Sequence, residues 1–519
     1  MKKIKIMKTI NIKFSFIALA IIITMGSCEK DFLEVDPKGT NLETSYYTNE
    51  TEAFAGLVSV YDFMRKNSGG FENMITMMNA GSDDHLAGGG SETDGLGIQG
   101  FSNYTLSPTT MEPVLWSEHY QGIFRANYLL TKLPGVPMDA KLIARYTAES
   151  KALRAHYYFN LVRMFKNVPL ILVPLSASEY YSVKQADPAD VYEQIEGDLK
   201  AAIDFLPLTV PSAEAGRFTQ GAARALLGKV YLYDKYNKDN KALAAVQLAL
   251  VNGKTPGGTT EGYLYKLLTN YKDIWTVDNK FNSESILEVA HTAVSSASWA
   301  YHPYTSYGDS AEGNVVNVMV GPRSYTRIAS PAPDLPSGWS FNVFTQVFYD
   351  VIKNDPRFDA TLLDLKALKA AGKADYQAGY QDTGYFLNKY VPRKVDESKG
   401  TGDVVLNYRQ NSYVIRLADT YLLEAEALGG TGTRAQALLD AVRARVGLAP
   451  VPVSLAAIKA ERRLELAGEG HRFFDLVRWD DAATVLASRG FKPNKNEVFP
   501  IPFRELQNTL LVQNPGYSN

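Results

Sequence analysis

The sequence predicts a mainly all-α protein, built from about four helix pairs that long irregular insertions interrupt. Apolar residues recur at helical spacing in several long segments of the chain. Within those segments a leucine, a small residue and an aromatic residue recur together, as expected where helices pack closely. The stretches between them are rich in Gly, Pro, Ser and aromatic residues and lack helical periodicity.

Residues 1–27 form a predicted targeting segment. Five lysines precede an apolar run (14–25), and two small residues then lead to Cys28. The run is shorter than the about 20 residues of a membrane-spanning helix, so it is typical of a secretory signal. The stretch resembles the lipobox of bacterial lipoproteins, although Met25 stands where Leu is common. This resemblance implies that Cys28, the only cysteine, carries a lipid; an incidental cysteine is the alternative.

The helical segments are identified by their caps and by a repeated pattern. The segment DPADVYEQIEGDLKAAIDFLP begins with Asp187 as its N-cap and is ended by Pro207. In TQGAARALLGKVYLYDKY, Leu227-Gly228-x-x-Tyr231 fits the tetratricopeptide signature, and Gly228 lets a second helix approach closely. The pattern recurs as Leu417-Ala418-x-x-Tyr421, with looser echoes at Leu153 with Tyr157 and at Phe124 with Tyr128. The unequal intervals exclude a regular solenoid and predict a tetratricopeptide-like scaffold of interrupted helix pairs.

Two irregular regions separate these helices, from Gly69 to Pro113 and from about Gly253 to Asn411. Structureless segments of this length in a compact protein are usually either functional or disordered. Their many aromatic residues favour a functional role over disorder. After the signal, we expect an N-terminal region (28–250) and a C-terminal region (251–519) to form one compact unit, with the ligand site in the larger insertion.

Composition and charge exclude two classes of protein. The net charge of −2 and the pI of about 6.4 give none of the basic character that nucleic-acid binding requires. No second apolar stretch is long enough to span a membrane, which predicts a protein tethered only through its N-terminus. The 31 tyrosines, 23 phenylalanines and 5 tryptophans suit a polar ligand that has apolar faces.

Several long stretches resemble the hallmarks of the SusD/RagB family. Near the C-terminus they are ERRLELAGEGHRFFDLVRW (461–479), NSYVIRLADTYLLEAEAL (411–428) and FPIPFRELQNTLLVQNPGY (499–517). Their N-terminal counterparts are CEKDFLEVDP, ALRAHYYFNLVRMFKNVPLIL and RFTQGAARALLGKVYLY. The resemblance therefore extends over essentially the whole mature chain.

This resemblance implies a fold, a role and a partner. SusD/RagB proteins are surface-exposed outer-membrane lipoproteins that bind nutrients, usually glycans, on a tetratricopeptide-like helical scaffold. Each caps a SusC-type TonB-dependent transporter and works as a hinged lid. For this chain the resemblance implies a binding protein, without enzymatic activity or cofactor, that delivers an oligosaccharide to such a transporter. A peptide ligand, a surface glycosidase and a purely structural lid are the alternatives.

The charged motif ERRLELAGEGHRFFDLVRW is interpreted as structural. Its charges lie three or four residues apart, which predicts ion pairs along one helix and its end among Glu461, Arg462, Glu465, Glu469 and Arg472. Paired charges can be buried where lone charges cannot. His471 is expected to be a packing histidine.

Enzyme chemistry finds little support in the sequence. GLGIQG (95–100) spells GxGxxG, but it follows a glycine-rich loop instead of a strand, and FSNYTLSP opens no helix after it. The six histidines lack metal-ligand spacing, so no metal site is predicted from them. An acidic loop with Asp83, Asp84, Glu92 and Asp94 leaves glycoside hydrolysis open, since that reaction needs two carboxylates. Asp83 and Asp84 are also the candidate ligands for a structural Ca²⁺.

The ligand candidates come from the two irregular regions. A sugar ring has an apolar face and a rim of hydroxyls, so its site needs aromatic rings and carboxylate, amide or guanidinium groups. The larger insertion offers rings at Trp299, Tyr301, Tyr304, Tyr307, Trp339 and Phe341. Polar candidates are Asp309, Asn314 and Arg323 in the insertion, and Asp83, Asp84 and His85 in the N-terminal loop. Trp116 and Trp479 are expected in the core, and the place of Trp275 is left open.

Overall fold

The structure is a computed structural model that describes residues 47–294 and 312–518. Asn49–Asn519 form one compact unit. The predicted lipid site, Cys28, lies outside the described residues. The same holds for five of the predicted ligand residues, which are Trp299, Tyr301, Tyr304, Tyr307 and Asp309.

The chain combines long and short helices with small two-stranded sheets. In chain order the helices are α1 (Glu50–Tyr61), α2 (Met74–Ala80), α3 (Leu96–Ser102), α4 (Val114–Lys132), α5 (Ala140–Phe165), α6 (Ala177–Tyr180), α7 (Pro188–Ile203), α8 (Gln220–Tyr233), α9 (Asn240–Asn252), α10 (Val315–Val320), α11 (Gln346–Ile352), α12 (Phe358–Thr361), α13 (Leu365–Ala370), α14 (Leu417–Ala427), α15 (Gly432–Arg445), α16 (Leu455–Glu465), α17 (Arg472–Arg478), α18 (Ala482–Val485) and α19 (Phe503–Leu506). The strands are β1 (Ser285–Val289), β2 (Arg323–Arg327), β3 (Leu362–Asp364), β4 (Ala374–Gln377), β5 (Tyr385–Leu387) and β6 (Ser412–Arg416).

The start of α7 follows its sequence signals closely. The Asp187 carboxylate accepts a hydrogen bond from the Ala189 N–H, and Pro188 occupies the first helical position. Proline fits there because its missing N–H would have no partner within the helix. The helix ends at Ile203, four residues before Pro207. Local signals therefore determine the beginning of this helix more sharply than its end.

Four helix pairs form the scaffold among the described residues: α1 with α4, α5 with α7, α8 with α9, and α14 with α15. Consecutive pairs also contact each other, because α4 packs on α5, α7 on α8 and α9 on α14. Small residues permit these approaches. A Cβ atom at Gly228 of α8 would lie 2.6 Å from Leu248 of α9, and one at Gly122 of α4 would lie 2.5 Å from Tyr157 of α5. The arrangement confirms the predicted tetratricopeptide-like scaffold.

The larger insertion is more regular than its sequence predicts. Antiparallel sheets β2–β4 and β3–β5 form within it, and β1 pairs with β6 where the insertion meets the scaffold. A core of its own surrounds Phe344, Phe348 and Phe386. Elements such as the three-residue β3 and the seven-residue α11 are too short to produce a visible periodicity. Tertiary packing stabilises such short elements, which are marginal in isolation.

The GLGIQG segment forms the short helix α3, with Gly95 at a φ of 70° as its N-cap. Turns precede this helix in place of a strand. A dinucleotide-binding turn requires a strand that leads directly into the helix, so this segment does not have that geometry.

Candidate functional site

The charged motif is buried and densely paired. Glu465, at the end of α16, forms ion pairs with Arg357 (3.0 Å), Arg416 (2.6 Å) and Arg445. Arg416 also pairs with Glu469 at 2.8 Å. Burial opposes the ionisation of Glu465, but the three arginines together hold its pKa well below the usual range. The motif therefore stabilises the fold and presents no open site.

These pairs differ from the predicted pattern, which was wrong in placing them along one helix. Arg462 of α16 pairs with Asp419 of α14 at 2.7 Å and with Asp475 of α17 at 2.9 Å. Glu461 pairs with Arg357, which precedes α12. Because α16 ends at Glu465, the charges reach partners on other segments instead of neighbours on the same helix. The motif thus joins separate parts of the chain.

The residues expected in the core are largely found there. Trp116 is buried, and the partly exposed Trp479 donates its indole N–H to Glu426 Oε1 at 3.1 Å. Burial lowers the pKa of His471 to about 3, so the ring is neutral and packs as expected, with Nδ1 3.4 Å from Lys229 Nζ. Trp275, which the sequence left open, is partly buried and packs against the core of the insertion.

Asp83 and Asp84 are paired with arginines instead of facing a ligand. Arg472 Nε lies 2.8 Å from Asp83 Oδ1, and Arg463 Nη2 lies 2.6 Å from Asp84 Oδ1. Burial and then repulsion from Asp83 raise the pKa of Asp84 to about 6. For Asp83 the arginines outweigh burial and lower the pKa. The prediction of both as ligand residues was wrong, because Asp84 is buried and both carboxylates tie the N-terminal loop to α16 and α17.

The same ion pairs bear on whether the acidic loop could serve as the catalytic site of a glycosidase. Asp94 is also paired, with Arg323, so three of the four loop carboxylates have arginine partners. A glycosidase would need two carboxyl groups on either side of a bound sugar, and Asp84 is closed off from solvent. Guanidinium groups contact both carboxylate oxygens of Asp83 and Oδ1 of Asp84, and these are oxygens that Ca²⁺ would need. In residues 47–294 and 312–518, no group of three or more His, Cys, Asp or Glu side chains is placed to hold a metal ion.

Three further predicted ligand residues are buried, and their prediction was wrong. Asn314 caps α10 with its side-chain oxygen and donates its amide to Gln410 O at 3.0 Å. His85 Nδ1 lies 2.8 Å from Asn342 O, and Phe341 packs in the interior. All three side chains are buried in the core and do not reach a ligand. Their glycine-rich and proline-rich surroundings in sequence gave no sign of this burial.

The remaining candidates, Arg323 and Trp339, lie where the two irregular regions meet. The Gly89 N–H donates to Ser340 O at 2.9 Å, which joins the N-terminal loop to the insertion. At Gly88, with a φ of 70°, a Cβ atom would lie 2.2 Å from the same carbonyl oxygen. Only glycine permits this approach, both for its conformation and for its size. The loop and the insertion were predicted to supply the site together, and this contact brings them together.

We call Phe71, Trp339, Arg323 and Asp94 the aromatic platform. Arg323 Nη2 lies 3.0 Å from Asp94 Oδ2, and Arg323 Nε donates to the Trp339 carbonyl at 3.0 Å. The centroid of the Phe71 ring is 6.0 Å from that of Trp339. The Gly90 N–H fixes Asp94 Oδ2 at 2.6 Å. All four platform side chains are partly exposed.

The platform offers the groups that a hydroxyl-rich ring needs. Its indole can cover an apolar C–H face, while Arg323 Nη1 and Asp94 Oδ1 have no hydrogen-bond partner among the described residues. Sequence reasoning missed Phe71 and placed Asp94 only in an acidic loop. Both lie in the first irregular region, so its aromatic and acidic content was the available signal.

Comparisons with known proteins agree with this architecture. Residues 342–490 match the family described as "SusD family", and residues 32–232 match "Starch-binding associating with outer membrane". A solved "Laminarin binding SusD-like protein" is 64% identical and has a TM-score of 0.88, covering 91% of this chain and 100% of its own. Surface glycan-binding protein A from Bacteroides thetaiotaomicron, in complex with laminarihexaose, is 26% identical with a TM-score of 0.78. It covers 90% of this chain and 100% of its own.

Among curated relatives, SusD-like protein P38 of Formosa agariphila is 26% identical and matches over 100% of both chains. With its helix-pair scaffold and these relatives, the chain belongs to the SusD-like family. The two solved relatives are named as binding proteins and not as enzymes, which agrees with the expectation that the chain is not an enzyme. No helix in the described part of the chain is long and apolar enough to cross a membrane.

Proposed function

We propose that this chain binds a laminarin-type β-glucan at the aromatic platform, on the outer surface of the cell. The observation that carries the proposal is the 64% identity to the laminarin binding SusD-like protein over the full length of that chain. The second relative, solved with laminarihexaose, supports the same ligand class at lower identity.

The chemistry of the platform supports a neutral sugar. Trp339 supplies a flat apolar surface for the C–H face of a glucose ring, and Phe71 packs beside it. The Arg323–Asp94 pair supplies donors and acceptors for hydroxyl groups at the rim of that ring. Because the two charges neutralise each other, the platform favours a neutral oligosaccharide over a charged one.

The proposal also includes the attachment of the chain to the membrane and its transporter partner. A lipid on Cys28 would hold the chain at the outer membrane, in keeping with the matched family description. As a lid on a SusC-type TonB-dependent transporter, the chain would deliver its ligand by closing. A bound glycan favours the closed lid only to the extent that it binds that state more tightly than the open one.

Calorimetric titration of residues 29–519, without the lipid, against laminarihexaose tests the ligand. We expect saturable binding and an unchanged ligand afterwards. Trp339→Ala removes the stacking surface, so we expect its Kd to rise about tenfold, which corresponds to about 1.4 kcal/mol. Tyr236→Ala is the matched control, because Tyr236 is an equally removable exposed ring that follows α8 and lies outside the platform.

Repeated with maltohexaose and with peptides, the titration has four results that would overturn parts of the proposal. Binding of maltohexaose in preference to laminarihexaose would replace the ligand class, and binding of peptides alone would replace glycans altogether. Equal Kd values for Trp339→Ala and the unaltered chain would remove the platform as the site. Absence of any binding would favour a structural lid, to be studied as the transporter complex.

A further inference from the structure

A third segment of the chain reaches the aromatic platform. It is the loop 378–384, which connects β4 to β5. The Tyr380 N–H of this loop donates to the Gly89 carbonyl at 2.8 Å, and a Cβ atom at Gly379 would lie 2.7 Å from the same oxygen. The N–H of Gly89 donates in turn to Ser340 O. The loop therefore packs on the contact that joins the N-terminal loop to the segment around Trp339.

Tyr380 lies close to the charged pair of the platform. Gly89, which accepts its N–H, directly precedes Gly90. The Gly90 N–H holds Asp94 Oδ2, and a Cβ atom at Gly90 would lie 2.9 Å from Arg323 Nη2. The backbone contact of Tyr380 is thus one residue away from the residue that touches both charges.

Three residues with a left-handed backbone lie at this place, and each directly follows one partly exposed side chain. The left-handed residues are Ser324, Ser340 and Gln381, with φ values of 47°, 60° and 55°. The side chains that they follow are those of Arg323, Trp339 and Tyr380. This conformation is uncommon for residues other than glycine, and such strain is concentrated at functional sites. The pattern groups Tyr380 with two platform residues.

The loop that carries Tyr380 is held in place by its own hydrogen bonds. Asp382 Oδ2 accepts a hydrogen bond from the Tyr376 hydroxyl at 3.0 Å. The Thr383 hydroxyl donates to Phe344 O at 2.7 Å. A ring on a loop that is already ordered loses less conformational freedom when a ligand binds, which favours affinity.

The Tyr380 side chain has no partner of its own in the part of the chain that the structure describes. It is partly exposed, and neither a second ring nor a hydrogen-bonding group contacts it there. Its neighbours Tyr376 and Tyr385 are buried, pack against other rings and donate their hydroxyls to side-chain oxygens. Tyr380 therefore presents an aromatic surface and a hydroxyl that the fold does not use, and both suit a sugar.

We propose that Tyr380 is a second stacking position of the glycan site, so that one oligosaccharide places one sugar residue on Trp339 and another on Tyr380. The inference rests on the proposed function, because it adds a contact to the same site and the same neutral β-glucan. The Arg323–Asp94 pair serves both positions, since it contacts the Trp339 carbonyl on one side and Gly90 on the other. Two positions select for an oligosaccharide over a single sugar, because only a chain reaches both rings.

Calorimetric titration of residues 29–519 against laminarihexaose tests this position in a set of variants. We expect Tyr380→Ala to raise the Kd about fivefold, and Tyr380→Phe, which keeps the ring, to raise it less than about twofold. The double variant Trp339→Ala with Tyr380→Ala should raise it about fiftyfold, because contacts to two separate sugar residues add in free energy. Tyr236→Ala is again the control. The melting temperature of Tyr380→Ala should equal that of the unaltered chain, because the ring packs against nothing.

The outcomes separate this inference from the proposed function. An unchanged Kd in Tyr380→Ala, beside a raised Kd in Trp339→Ala, would overturn the second position alone. So would a double variant that binds no more weakly than Trp339→Ala, a Tyr380→Phe variant as weak as Tyr380→Ala, or a lowered melting temperature, which would indicate a structural role. Absence of laminarihexaose binding by the unaltered chain would overturn the proposed ligand and this inference together.

Discussion

Arg416 uses every N–H of its guanidinium group within the protein. Nε donates to Glu469, Nη1 donates to Glu284 and Glu465, and Nη2 donates to the Glu465 carbonyl and to Glu469, all between 2.6 and 2.9 Å. The side chain is 1% exposed. A single residue therefore holds together the carboxylates of Glu284, just before β1, of Glu465 in α16 and of Glu469 in the turn that follows it. Lysine cannot reproduce this fork, since it has three donors on one atom.

We expect Arg416→Met to destabilise the fold by about 3–5 kcal/mol, because it leaves buried carboxylates without their main counter-charge. Arg416→Lys restores the charge but not the geometry and should recover only part of this loss. Urea unfolding, followed by tryptophan fluorescence, measures the change. Arg504→Met is the control, since Arg504 is exposed and should change the free energy of unfolding by less than about 0.5 kcal/mol. Equal effects at the two positions would contradict the structural role of the network.

At the scale of elements, the scaffold depends on close contact between neighbouring helices. Gly228 belongs to the pattern by which the sequence identified α8 as a packing helix. In the structure Leu248 of α9 fills the space beside it. Gly197 in α7 is also a helical glycine, but no atom lies within 4 Å of the position its Cβ would take. The two glycines therefore differ only in what surrounds them.

Replacement by alanine is therefore expected to have opposite effects on stability at the two glycines. We expect Gly228→Ala to destabilise the fold by about 1–3 kcal/mol, because α8 and α9 must separate or Leu248 must leave its rotamer. We expect Gly197→Ala to stabilise it by about 0.5–1 kcal/mol, because alanine loses less entropy in a helix. Thermal unfolding of both variants measures the changes. A stabilising Gly228→Ala would show that the helices are not in close contact.

At the scale of the whole molecule, buried histidines couple folding to pH. Burial lowers the pKa of four described histidines to about 3 and that of a fifth to about 4, for His85, His119, His156, His471 and His291. In the unfolded chain a histidine titrates near 6.5, so between these values the unfolded chain binds more protons. Glu465 and Asp419, with lowered pKa values, act in the same direction at lower pH. Glu72 and Asp84, whose pKa values are raised, oppose this trend.

The sign follows from proton linkage, because stability rises with pH wherever the unfolded state binds more protons. We therefore expect the melting temperature to fall as the pH is lowered from 7 through 5, and to fall further below about 4.5 as the paired carboxylates protonate. Differential scanning calorimetry across this range measures the effect. His156→Gln should reduce proton uptake on unfolding at pH 5 by about one. A melting temperature that is constant from pH 7 to 5 would contradict burial of neutral histidines.

The helical scaffold could be predicted from the sequence because its signals are local. Asp187 and Pro188 lie side by side at the start of α7, and the spacing from Leu227 to Tyr231 spans one turn of α8. The family could be identified for a related reason, since its motifs are long and follow one another in order along the chain. The short strands and helices of the insertion were missed because too few residues form each of them.

Local patterns in the sequence were enough to predict the all-α scaffold, the helix pairs, the family, and the two regions that supply the platform. Which charged and aromatic side chains remain exposed there depends on contacts between segments that are far apart in the sequence. Asp83 is 389 residues from Arg472, and the Asp94 that replaces it at the platform is paired with Arg323, 229 residues away. Caps and periodicity act over a few neighbouring residues, whereas burial depends on which distant segments the fold brings together. Asp83 and Asp94 therefore looked alike in sequence, whereas the fold places arginines on both carboxylate oxygens of Asp83 and on only Oδ2 of Asp94.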